Sequence, residues 1–250
     1  MINSFCYSQK GLIYYDYIDA KGVGNAKGQA SNSYMAFNKE MSYYVTAKDS
    51  LERDDVKNNQ TVIEDGENGG GSIYNGMKVS EQGDQVVYHI KKKTMWSNIL
   101  YVKQFYVKEV APTINWKISK ETKKIGKFNC KKATANFRGR NYIAWFTTEI
   151  AVPFGPWKLH GLPGLILEAY DANKEVSWSF KSVQFPSKIK VNVKYMSIPS
   201  NLKFMTYSEF KNAQQEVIEK QNDEQKIMGK QYPEITFIPP KLNLLFIECE

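Results

Sequence analysis

The chain has 250 residues, 42% of them apolar and 14% aromatic, with 34 basic against 26 acidic side chains and a formal net charge of +8. That apolar content supports a substantial core and excludes an intrinsically disordered chain, and no apolar run is long enough to cross a membrane as a helix. The basic excess is scattered, with local runs only at Lys91-Lys92-Lys93 and Lys131-Lys132 and no recognisable nucleic-acid module beside them, so it reads as solvated surface rather than a nucleic-acid site.

In chain order, "INSFCYSQKGLIYY" reads as the tail of a secretory signal, with the small residues Cys6 and Ser8 at the −3 and −1 positions of a cleavage before Gln9. Residues 1–8 are therefore expected to be leader and residues 9–250 one β domain. Cleavage leaves Cys130 and Cys249 in an oxidising compartment, where they either pair or stay free; two cysteines make no disulfide framework. Strand signals then dominate. Gly11–Tyr17 and Met41–Lys48 are aromatic and β-branched runs, and residues 63–76 form a glycine-rich, acidic stretch expected as a mobile surface loop. Gln85–Trp96, Ser97–Val110, Ile114–Ile118, Lys127–Phe137, Asn141–Ile150, Leu162–Asp171, Glu175–Phe185 and Lys188–Ile198 continue the series. Turns are expected at Gly126, Arg138-Gly139-Arg140 and Asn173-Lys174. Short strands about ten residues apart indicate a mainly β fold: a curved antiparallel sheet, bowl or barrel in one domain. Large rings on both faces of Asn141–Ile150 mark it as a central strand.

One helix interrupts the pattern. Thr206 followed by Glu209 forms a capping box, and Phe210, Ala213, Val217 and Ile218 give an apolar stripe that packs on the sheet. Pro233 and Pro239-Pro240 end that region, and "NLLFIECE" (Asn243 to Glu250) reads as a last strand.

Between these elements lies "GPWKLHGLPGLILEAYD", Gly155 to Asp171. Leu162-Pro163-Gly164-Leu165 fits a type II turn, with proline fixing the first central φ and glycine supplying a positive φ at the second. Gly161 adds another backbone bend. Gly161, Pro163 and Gly164 are thus structural residues, and the segment is a stiff corner feeding a buried strand. It lacks the glycine-to-helix transition, Lys and Ser/Thr of a phosphate loop.

These residues carry a resemblance. "WKI", "ETKKIGKFNCKKATANFRGR", "AWFTTEI" and "GPWKLHGLPGLILE", all within residues 116–171, fall in the order typical of the GLPGLI family, which consists mostly of exported proteins of Bacteroidota without an assigned activity. The family is in turn similar to the N-terminal bowl-like domain of a bacterial peptide-N-glycanase, a β domain that accompanies a separate catalytic module. The resemblance implies an exported β domain of the periplasm, outer membrane or cell surface that binds or assists, with no cofactor. It does not imply an amidase.

The residues offer little catalytic signal. His89 and His160 have no neighbour at metal-ligand spacing, and no nucleophile elbow occurs. Lysines beside Cys130 would lower its thiol pKa, but its alternating apolar companions argue for burial. A carboxylate pair from Glu149, Glu168 and Asp171 is the hydrolase alternative. For recognition, Arg138, Arg140, Tyr142, Trp157, His160 and Glu168 stand out, because rings stack on sugars or apolar side chains and guanidinium groups bind carboxylates or phosphates bidentately. In a purely structural role, Arg138 and Arg140 would neutralise Glu149 or Glu168, and Trp145 would be core. The expected partner is a glycan, a peptide or an outer-membrane or cell-surface protein, bound on the concave side of the sheet.

Overall fold

The computed structural model describes residues 10–21, 29–46, 60–64, 71–75, 84–101, 103–187, 202–237 and 239–250. The expected cleavage site and the Lys188–Ile198 strand lie outside them. The strands are β1 (Gly11–Asp19), β2 (Gln29–Phe37), β3 (Met41–Thr46), β4 (Gln60–Glu64), β5 (Gly71–Asn75), β6 (Gln85–His89), β7 (Thr94–Tyr101) and β8 (Lys103–Val110), followed by β9 (Lys117–Ile125), β10 (Phe128–Phe137), β11 (Arg140–Thr147), β12 (Leu165–Asp171) and β13 (Val176–Gln184). The helices are α1 (Tyr207–Gln231) and the single turn α2 (Leu242–Leu245).

Eleven strands form one open antiparallel sheet in the order β8-β7-β6-β3-β2-β1-β13-β12-β11-β10-β9. Two meanders meet at its centre, where β1 pairs with β13 from Leu12↔Gln184 to Asp19↔Val176, bulged at Tyr14/Tyr15. The alternation of β1 decides its inner face: Ile13, Tyr15 and Tyr17 are buried, while Asp16 is exposed. Tyr17 stacks on Trp178, and the Trp178 indole donates to the Tyr44 hydroxyl at 2.7 Å. At one edge, β8 is partly covered by residue 205, whose backbone bonds Tyr106 and Lys108. At the other, β9 exposes Lys117, Lys120 and Lys124, side chains that discourage another strand from adding on.

The glycine-rich stretch differs from its expectation at both ends, where β4 and β5 pair as a separate hairpin from Gln60↔Asn75 to Glu64↔Gly71. Gln85–Trp96 is likewise two strands, because Ile90–Lys93 turns the chain and Lys93 adopts φ 48°. Regular pairing after residue 110 begins only at Lys117. α1 is capped as its sequence requires: Thr206 accepts from the Glu209 amide, and the Glu209 carboxylate accepts from the Thr206 amide at 2.6 Å. Phe210, Ala213 and Ile218 are buried, Phe210 against Phe105 of β8. The expected last strand is not one. After α2 the chain runs as a strap, residues 246–250, outside the sheet ladder.

Candidate functional site

The segment between β11 and β12 fills the interior of the curved sheet. Phe154 touches Phe37 of β2 and Tyr88 of β6, His160 lies 4.5 Å from Tyr88, and Trp157 packs on Phe137, Tyr142 and Trp178. One loop that reaches strands as far apart in the order as β6 and β10 requires the sheet to curl around it. The concave side is therefore occupied by the chain itself. Close backbone approaches shape this plug. The Leu159 and Gly161 amides bond the Pro156 and Pro153 carbonyls, and Ile166 bonds Phe154 across the base.

The glycines serve two different needs. Gly161 has φ +92° and open space where a side chain would go, so its backbone conformation calls for glycine. Gly164 does not have the positive φ of a type II turn. It is pressed against β11, where a Cβ would lie 2.1 Å from the Thr147 carbonyl oxygen. Proximity, not conformation, fixes glycine there. Trp157 is a non-glycine at φ 54°, held in that uncommon region by the rings around it, with the Trp178 ring 6.1 Å away and within 12° of parallel.

Arg138, Arg140, Tyr142, Trp157 and His160 are brought together on this inner side and are all buried. Arg138 and Gly139 form the β10–β11 turn with φ 52° and 79°, positive at both central positions as a tight hairpin demands. Gly139 lies so close to Cys249 that a Cβ would meet its carbonyl and sulfur at 2.7–2.8 Å. The Arg138 guanidinium stacks 3.3 Å over Tyr207 and pairs with Glu109, with Glu250 at 3.0 Å and with Glu248 at 3.3 Å. Beside it, Lys158 is fully buried and donates to Glu109 at 2.8 Å and Glu248 at 2.6 Å. Two buried cations thus face two buried carboxylates. Burial still holds the Glu248 carboxyl above its usual range, although Lys158 and Arg138 pull it down.

Arg140 works differently. It pairs with Asp171 at 3.1 Å and with Glu175, but its remaining bonds go to main-chain carbonyls of α2 and the strap: Asn243 at 2.6 Å, Phe246 at 3.1 Å and Ile247 at 2.9 Å. Neither arginine neutralises Glu149 or Glu168. Glu168 instead pairs with Lys123 at 2.8 Å, and that lysine sits 4.5 Å above the Trp145 ring. Glu149 accepts from the Asn129 amide at 2.8 Å.

His160 Nδ1 faces the Lys158 carbonyl at 2.8 Å, and its own carbonyl accepts from the Trp116 indole at 2.7 Å. Burial lowers its pKa below 6.5 against opposing backbone contacts to Lys158 and Pro112. Cys130 and Cys249 are both free thiols. Burial raises Cys130 to about 11, overriding the adjacent Lys123, so the thiolate is scarce at neutral pH. A partly open cleft of about 270 Å³ beside it is lined by Thr122, Asn129, Cys130, Lys131, Thr148 and Glu149. Among the described residues, no group of three or more His, Cys, Asp or Glu is placed to hold a metal ion, and no helix is long and apolar enough to cross a membrane.

Sequence reasoning missed Lys158, Glu109, Tyr207 and Glu248. Lys158 and Glu248 did carry a signal, since each is a lone charge inside an apolar run, "FGPWKLHGL" and "NLLFIEC". A charge in such a run is buried with a partner or turned out to solvent, and only the fold distinguishes the two.

A family profile described as "Protein of unknown function (Porph_ging)" matches residues 138–168, the β10–β11 turn through most of β12. No curated protein matches the chain. Two crystal structures of PNGF-II are similar in fold, with TM-scores of 0.54 and 0.53 at 14% and 15% sequence identity. Each similarity covers 82% of this chain, which spans only 32% of the PNGF-II chain.

Proposed function

We propose that this chain is an exported binding or accessory domain of the periplasm, outer membrane or cell surface, acting on a glycan, a peptide or an envelope protein partner. The observation that carries this reading is the fold similarity: most of this chain corresponds to about a third of the PNGF-II chain, the proportion expected of one module in a larger protein. The residue types at the centre fit recognition. Arg138, Arg140, Tyr142, Trp157 and His160 supply guanidinium groups and rings, and Glu168 with Lys123 and Trp145 forms a second polar-aromatic cluster. The hydrolase alternative draws less support, because its three carboxylates are engaged separately: Asp171 under Arg140, Glu168 with Lys123, and Glu149 on a backbone amide.

Affinity capture of the mature chain from cell envelopes of its source, read by mass spectrometry, tests the proposal. Repeated recovery of one envelope protein, or of one glycan or peptide class, supports it. Empty captures together with glycan or peptide turnover that disappears in Glu168→Gln or Glu149→Gln would replace it with the hydrolase reading.

A further inference from the structure

The strap is attached in an unusual way. It adds no strand to the sheet, and its bonds to the body run largely through side chains. Arg140 takes its Phe246 and Ile247 main-chain carbonyls and that of Asn243 in α2, a contact that recognises polypeptide regardless of sequence. Gln214 donates to the Glu248 carbonyl at 2.8 Å, and the Cys249 amide donates to the Arg138 carbonyl at 3.1 Å. Two side chains then supply specificity. Phe246 is buried edge-on to Phe210, in the cluster that also holds Phe105 and Val107. Two residues on, the buried Glu248 carboxylate enters the cationic slot of Lys158 and Arg138.

These are the means by which proteins capture peptides: fixed donors on the backbone, an aromatic anchor in a pocket, and a charge in a matching slot. The strap is joined to α1 by an exposed linker. Between α1 and α2 the chain runs through residues 232–241, which include Pro233, Pro239 and Pro240, and residues 232–236 are exposed.

We propose that the groove between β8, the β10–β11 turn and the first half of α1 is a peptide-binding site, and that residues 242–250 are its resident ligand in cis. Its ligand class is an acidic peptide that presents a large aromatic residue and, two positions later, a carboxylate. Arg140 reads the backbone, the Phe105–Phe210 pocket reads the ring, and Lys158 with Arg138 reads the acid. This rests on the binding reading above and narrows it to a peptide. A partner carrying such a segment competes with a tethered strap, so it binds only when the strap is released or the partner's own affinity is high.

The test keeps the full chain through folding. A specific protease site is inserted between Pro240 and Lys241, the folded protein is nicked, and a fluorescent peptide of residues 241–250 is titrated in. The expected result is saturable binding as the labelled peptide replaces the strap, with circular dichroism unchanged. Peptides carrying Glu248→Gln or Phe246→Ala bind at least tenfold more weakly, and a scrambled peptide does not bind. Three results overturn the proposal: a strap that never exchanges in the nicked protein, loss of the β signal when it leaves, or a Glu248→Gln peptide that binds as well as the parent. Any of these beside a positive envelope capture retires the peptide site alone, whereas exchange beside an empty capture retires the accessory reading and leaves the groove.

Discussion

Replacing Lys158 by methionine isolates the most consequential buried charge. Methionine keeps the length of the stem and removes only the ammonium, which donates to Glu109 at 2.8 Å and Glu248 at 2.6 Å. Two buried carboxylates are then left with Arg138 as their only nearby cation in this cluster. Breaking a buried pair by removing one partner costs about 3–5 kcal/mol, because the remaining charge stays desolvated. For a chain of this size each kcal/mol shifts Tm by about 2–4 °C, so Lys158→Met should lower Tm by roughly 6–20 °C. The loss should depend on pH with a definite sign. The Glu248 carboxyl is already raised above 4.5 in the fold by burial, and removing Lys158 takes away a group that was pulling it down. A raised carboxyl contributes stability that is fully present below 4.5 and is lost as pH rises through the folded value. The Lys158→Met deficit should therefore be largest near neutrality and shrink on acidification toward pH 4.5. Adding Glu248→Gln should recover part of it at pH 7. Scanning calorimetry from pH 4.5 to 8 on both variants measures this directly. A Tm within 2 °C of the parent across that range would refute the reasoning, since it would mean that Lys158 is not buried between those carboxylates.

Other substitutions probe separate parts of the account. Because burial lowers His160, the parent should lose stability as pH falls below 6.5 through the folded value, and His160→Gln should flatten that slope in urea titrations at several pH values. Trp157→Ala removes the ring stacked on Trp178 and should cost about 3–5 kcal/mol, with a matching loss of near-ultraviolet circular dichroism; an unchanged spectrum would place Trp157 outside the core. Gly161→Ala should cost about 1–3 kcal/mol from backbone conformation alone, whereas Gly164→Ala, forced against the Thr147 carbonyl, should cost more in the same denaturation assay. Cys130 should resist thiol reagents in the native state and react on unfolding, as a buried thiol at about 11 requires.

What the sequence made legible follows from where local physics and tertiary packing agree. β1, β3 and β10 to β13 announce themselves through aromatic and β-branched residues, and α1 through its capping box and stripe. β2 did not, because "QASNSYMAF" has little β propensity, although Ser33, Met35 and Phe37 alternate onto one buried face. Ile63 and Ile73 hid in a composition that reads as loop, although they lie in β4 and β5 and pair with Ser72 and Val62. The Pro163-Gly164 pair has the composition of a type II turn, yet its glycine answers a contact with Thr147 from another part of the chain. The strap misled in the same way: "NLLFIECE" has a strand's apolar character, but Arg140 draws its carbonyls out of any ladder. The arginines and rings of the candidate site were visible as residue types. Their partners Glu109, Glu248, Glu250 and Tyr207 were not, since those contacts are as far apart in sequence as 112 residues, the separation of Arg138 and Glu250.

Amide hydrogen exchange on the intact chain and on Arg140→Gln tests most directly the central claim that the buried cations of the signature region hold polypeptide in the strap. In the parent, the Cys249 amide, bonded to the Arg138 carbonyl, should be strongly protected along with β11 and β12. In Arg140→Gln, protection should fall at residues 246–250 while β12 keeps its own. Exchange of the Cys249 amide at the unfolded rate in the parent, or equal loss across β11, β12 and the strap in the variant, would contradict the account.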